Sequence, residues 1–72
     1  MAQYDDDDLL RYAKEEFKRD AEFREAIKEA IKRKRRGFIG NLISDLARVL
    51  FGSVVQRIVD SVIDRFINWL DD

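Results

Sequence analysis

Apolar residues in the first half of the chain recur every three or four positions, with Glu, Lys and Arg between them. This spacing places them on one face of an α-helix. Four consecutive aspartates precede the pattern, and acidic side chains at a helix start cap free N–H groups and complement the helix dipole. The pattern predicts a long charged helix that begins within residues 5–8 and covers about 6–36, after a tail of residues 1–4. Its apolar positions are Leu9, Ala13, Phe17, Phe23, Ile27 and Ile31.

Asp20 disagrees with this pattern, because an ideal helix would place its carboxylate within the apolar face. One interpretation is a continuous helix, straight or kinked near residue 20. The other is a break, with Asp20 as the N-cap of a second helix. No glycine or proline marks a break at this point, and we therefore predict the continuous or kinked helix.

The second half of the chain contains two segments whose apolar faces point in different directions on an ideal helix. On an ideal helix the apolar face of residues 39–50 points roughly 160–180° away from that of residues 55–69. Gly52 disfavours a helix interior, and Ser53 to Gln56 match the S/T-x-x-E/Q capping box. We predict a turn over residues 37–40 with Gly37 as a C-cap, a helix over about 39–51, a break near 52 and a last helix over about 54–70. The alternative is one straight helix whose two ends are covered by different partners.

The last predicted helix repeats two apolar and two polar residues, which gives an apolar arc of about 180°, whereas one packed neighbour needs about 100°. The charged helix has too few large apolar side chains to cover this arc, so the pattern predicts that a second copy of the chain does so. The predicted fold is all-α: a helical hairpin or small three-helix unit, assembled as an oligomeric helical bundle, with a homodimer as the simplest case. The predicted interface residues are Val55, Ile58, Val59, Val62, Ile63, Phe66, Trp69 and Leu70.

Composition limits the chemistry available to this chain of 72 residues, which form one small helical domain over 1–72. It contains no cysteine and no histidine, which excludes disulfides, thiolate metal sites and the Ser-His-Asp and Cys-His types of nucleophilic catalysis. Neither a Walker A nor a dinucleotide-binding glycine motif is present. We expect no enzymatic activity, no cofactor, no metal and no small-molecule substrate.

Five consecutive cations occupy residues 32–36, in a chain whose formal net charge is −1. In one interpretation they are a solvated helix end, where cations complement the dipole. In another they contact the phosphates of nucleic acid without sequence specificity, since no Asn, Gln or aromatic residue is interleaved to recognise bases. In a third they lie against anionic lipid headgroups beside an amphipathic helix. The candidate polyanion-binding residues are Lys32, Arg33, Lys34, Arg35 and Arg36.

The sequence therefore predicts a small non-enzymatic protein-protein interaction or assembly module that self-associates through its apolar C-terminal helix. A nucleic-acid-associated protein that uses residues 32–36 is the first alternative, and a peripheral membrane-surface protein is the second. Because cysteine is absent and no apolar run reaches the ~18–20 residues that span a bilayer, the expected location is the cytoplasm, with attachment to a membrane surface in the second alternative.

Overall fold

The computed structural model describes residues 5–71 and places them in four α-helices. These are α1 (Asp6–Arg19), α2 (Ala21–Lys32), α3 (Arg36–Phe51) and α4 (Gln56–Asp71). No strand occurs in this part of the chain, which confirms the predicted all-α class. The predicted tail over residues 1–4 lies outside the described residues.

α1 begins where the run of aspartates predicts. The Asp5 side chain accepts a hydrogen bond from the backbone N–H of Asp8 at 3.2 Å, and the Asp5 backbone N–H donates to the Asp8 carboxylate at 3.1 Å. This reciprocal capping box satisfies two N–H groups that would otherwise lack a partner at the helix start. Three of the four aspartates therefore lie inside the first turn, where the helix dipole favours negative charge.

The predicted continuous helix over residues 6–36 is wrong, because the helix is interrupted at Asp20. The Asp20 backbone is extended and its N–H closes α1 by donating to the Glu16 carbonyl at 2.8 Å. Its carboxylate then accepts from the N–H groups of Glu22 at 2.9 Å and Phe23 at 3.3 Å. One short acidic side chain thus ends one helix and starts the next, which removes the need for glycine or proline.

The turn predicted at residues 37–40 lies instead at residues 33–35, and Gly37 is inside α3. α2 ends in a Schellman motif: the Arg35 N–H donates to the Ala30 carbonyl at 2.8 Å and the Lys34 N–H to the Ile31 carbonyl at 3.1 Å. Lys34 occupies the left-handed position with φ 56°, where glycine is the usual residue. The prediction assigned the left-handed position to Gly37, whereas Lys34 adopts that conformation.

The break near residue 52 stands where the opposed apolar faces indicate it. α3 ends at Phe51, and Gly52 follows in the left-handed conformation with φ 80°. α4 begins at Gln56, two residues later than predicted, so the capping box from Ser53 is wrong. The Gln56 side chain instead donates to Asp60 at 2.9 Å, within the first turn of α4.

α4 is covered from two sides within a single chain. α1 and α3 both pack along it, and α2 packs against α1 and α3. α3 approaches α4 closely at Gly40, where an added Cβ atom would lie 3.1 Å from Ile63 Cδ1. Four of the predicted interface residues, Val59, Val62, Ile63 and Phe66, are consequently buried in the core of one chain. A second copy of the chain is therefore not needed to bury these four residues, because α3 packs on α4 as well as α1.

Candidate polyanion-binding surface at the basic turn

Residues 32–36, named here the basic turn, connect α2 to α3 and are exposed throughout. Lys32 is the last residue of α2 and Arg36 the first of α3, so the three cations between them lie in the Schellman turn. The predicted helix over residues 6–36 would place all five cations on one helix, whereas the structure divides them between the end of α2, the turn and the start of α3. They are gathered at one corner of the fold, where two helix ends meet.

Two of the five cations have carboxylate partners. Arg33 Nε lies 2.6 Å from Glu29 Oε1, one helical turn back on α2, and Arg36 pairs with Asp64 of α4. Both pairs are exposed, so each contributes little to stability and can exchange for another anion. Lys32, Lys34 and Arg35 have no carboxylate within ion-pair distance among residues 5–71. Three positive charges at this corner are thus uncompensated by the fold.

The start of α3 adds to the positive character of the turn. Arg35 occupies the N-cap position without a side-chain hydrogen bond, and the first turn of α3 contains no acidic residue. The positive end of the α3 dipole is therefore not offset by carboxylates, unlike that of α1. The exposed cations and the N-terminal end of the α3 dipole are both positive, so their electrostatic potentials add at the basic turn.

An aromatic side chain lies beside these cations. Phe38 is 45% exposed and lines a shallow recess on the surface with Arg33 and Arg35. Ala30 and Glu29 of α2 complete this recess, named here the Phe38 recess. Sequence reasoning missed Phe38 because it lies two residues beyond the run of cations. The pattern RRGF could have indicated it, since the first turn of a helix brings residues three apart to the same side.

A second recess lies on the other side of Arg35. Its floor is aliphatic, from Ile31, Ile39 and Ile67, and its rim carries the cations of residues 34–36. No aromatic ring lines it. Of these two recesses, the Phe38 recess alone combines an exposed aromatic ring with guanidinium groups.

The remaining predicted interface residues in and before α4 offer no continuous free surface. Ile58, Trp69 and Leu70 are half-buried against the core, and Val55 is 39% exposed in the turn before α4. The Trp69 ring is also covered by the ammonium groups of Lys14 and Lys18, 5.5 and 5.9 Å from its centroid. The structure thus places these residues around the core rather than on one open face.

An apolar strip does remain exposed on the outer side of α3. Leu42 and Leu46 are half-buried, and Val49 is 72% exposed. Asp45 lies between them in sequence, and Arg48 pairs with it at 3.6 Å at the edge of the strip. We name residues 42, 45, 46, 48 and 49 the α3 outer face. Ile39, Ile43 and Ala47 point the other way, into the core.

The aspartates at the start of α1 are engaged in structural contacts. Asp5, Asp6 and Asp7 have carboxylate oxygens within 4.8 Å of one another. Asp5 caps α1, and Asp6 and Asp7 face Arg65 of α4 at 3.6 and 2.7 Å. These contacts fix the start of α1 against α4.

None of the helices within residues 5–71 has the length and apolar character needed to cross a bilayer. Searches against protein-family models, curated proteins and solved structures found no match to this chain.

Proposed function

We propose that this protein is a small non-enzymatic module that binds nucleic acid through phosphate contacts from the basic turn. The observation that supports this most directly is the set of three exposed cations, Lys32, Lys34 and Arg35, which no carboxylate of the described fold neutralises. Ammonium and guanidinium groups bind phosphate oxygens by charge-assisted hydrogen bonds. Contact of this kind is independent of sequence.

The number of free cations sets the expected salt dependence. Each phosphate neutralised releases condensed counterions, with a slope of log K against log salt of about −0.9 per contact on duplex DNA and about −0.7 on single strands. Three free cations give slopes of about −2.7 and −2.1. If the paired arginines, Arg33 and Arg36, also exchanged their partners for phosphates, the slopes would approach −4.5 and −3.5.

Fluorescence anisotropy with labelled oligonucleotides tests the proposal. Wild-type protein is expected to bind with a dissociation constant of roughly 1–100 μM at physiological salt, and more tightly at low salt. The variant Lys34→Gln/Arg35→Gln should lose most of this binding and flatten the salt slope by about 1.4 on single strands. The control Arg11→Gln/Arg57→Gln removes two exposed arginines outside the basic turn and should retain the wild-type slope. Binding that ignores salt, or equal loss in both variants, would refute the proposal.

A second candidate function, homotypic assembly, is supported by the α3 outer face. This face carries its own electrostatic complement, because Asp45 and Arg48 lie on it side by side. An antiparallel two-fold pairing of α3 helices centred near residue 46 would bring Asp45 of each chain close to Arg48 of the other. The same pairing would bring Leu42 of one chain near Val49 of its partner. The face is small, so the expected dimer is weak.

Charge-reversal variants test this assembly. Mixing them distinguishes contacts between chains from the Asp45–Arg48 pair within one chain. Asp45→Arg and Arg48→Asp each place like charges on the face and should sediment as monomers at several hundred micromolar. An equal mixture of the two variants should form heterodimers, since every contact between the chains is then between opposite charges. A mixture that stays monomeric, or a wild-type chain that does, would exclude this interface.

A further inference from the structure

We infer that the Phe38 recess receives an unpaired nucleobase, so that the ligand of the basic turn is single-stranded nucleic acid. This inference rests on the proposed function and adds the class of ligand to it. A basic surface beside an exposed aromatic ring is the combination that binds single strands: cations follow the backbone while bases stack on the ring. Phe38 and the arginines of the basic turn supply both parts at one recess.

The backbone of Phe38 is held in the first turn of α3. Its N–H donates to the Arg35 carbonyl at 3.1 Å, in the first turn of α3. Phe38 therefore belongs to the same rigid turn as Arg35, which lines the recess with it. A base stacked on the ring would leave its phosphates beside Arg35 and Lys34.

Duplex nucleic acid fits this arrangement less well. Its bases are paired and stacked, so a ring at the protein surface meets only the backbone unless a base is extruded, which requires unstacking energy. The basic turn can still contact duplex phosphates. We therefore expect single strands to bind more tightly than duplexes of the same charge, and the difference to depend on Phe38.

The backbone of Lys34 supports a role for its side chain in binding. A non-glycine residue in the left-handed conformation is strained, and such strain concentrates at functional positions. Lys34→Gly removes the strain and the charge together. The inference predicts that this variant is more stable than wild type and yet binds nucleic acid less tightly.

An abasic strand separates base stacking from phosphate contact, because it keeps the phosphates and lacks the bases. Wild-type protein is expected to bind oligo(dT) at least about fivefold more tightly than an abasic strand of equal length. Phe38→Ala should lower oligo(dT) binding to the abasic level and leave abasic binding unchanged, whereas Phe38→Tyr should retain the preference. Val55→Ala, a truncation of another exposed apolar residue, is the control and should behave as wild type.

The outcomes test base stacking on Phe38 separately from the proposed phosphate binding by the basic turn. If oligo(dT) and abasic strands bind equally and with the expected salt slope, the stacking inference is refuted and phosphate binding stands. If neither strand binds at low salt, both fail. Binding to phosphatidylserine vesicles that requires Lys34 and Arg35, without binding to either strand, would assign the basic turn to a membrane surface and refute both. Circular dichroism of each variant confirms that the helices are intact.

Discussion

The ring of Phe17 in α1 meets the ring of Phe66 in α4 edge to face, with 6.1 Å between centroids. Phe66 also stacks on Trp69 at 5.7 Å and lies 6.5 Å from Phe23 of α2. A single buried side chain therefore joins three of the four helices. Edge-to-face and offset arrangements of this kind are the favourable geometries for aromatic pairs.

Truncation of Phe66 should unfold the protein. Phe→Ala in a packed core removes about 3–5 kcal/mol, and a domain of this size has a net stability of about the same magnitude. Phe66→Ala is therefore expected to lose cooperative thermal unfolding in circular dichroism. Phe38→Ala, the same change at an exposed ring, should melt close to wild type. A cooperative melt in Phe66→Ala would show that the core does not depend on this ring.

Asp20→Ala should lower the free energy of unfolding by about 1 kcal/mol, because the N–H groups of Glu22 and Phe23 lose their acceptor. Asp20→Asn keeps an acceptor oxygen and should lose less. Urea unfolding followed by circular dichroism measures both. An alanine variant as stable as wild type would indicate that α1 and α2 can merge into one helix in solution.

Gly52 and Gly37 should respond in opposite ways to alanine. Gly52 has φ 80°, a conformation that alanine adopts at a cost of about 1 kcal/mol or more, although nothing obstructs a Cβ atom there. Gly37 is helical and also has open space around it, so alanine should stabilise the chain by up to about 1 kcal/mol. The difference between the two urea midpoints checks the break after α3, and a shift in the same direction would argue against it.

Lys34→Gly is expected to raise the free energy of unfolding by about 1 kcal/mol, because glycine adopts the left-handed conformation without steric strain. Lys32→Gly is the matched control. It removes the same side chain from a helical position and should be neutral or destabilising. If both glycine variants lose stability, then the α2 end does not have the Schellman geometry.

Helix class and the break at Gly52 could be predicted because both depend on patterns spread over many residues. Apolar periodicity defines a helix face, and two opposed faces cannot belong to one straight helix buried on one side. The start of α1 was equally accessible, since consecutive acidic residues favour a helix N-terminus. These features are local or periodic.

The ends of α2 could not be predicted in this way. Asp20 can continue a helix or cap a new one, and Lys34 adopts a left-handed conformation that is uncommon for lysine. An aspartate within a helical pattern either tolerates the helix or caps a new one, and the choice depends on how α1 and α2 pack. The element that covers the apolar arc of α4 also could not be predicted without the tertiary structure. Whether α3 or a second chain covers it depends on the direction of the chain after Gly52.

The contact of α1 with α4 has a consequence for the order of events during synthesis. α1 emerges from the ribosome before α4, the last of the four helices, against which it packs. At about 5–20 residues per second, α1 must wait several seconds before Phe66 can meet Phe17. Until then α2 and α3 can pack on α1, but the side of α1 that packs on α4 remains uncovered.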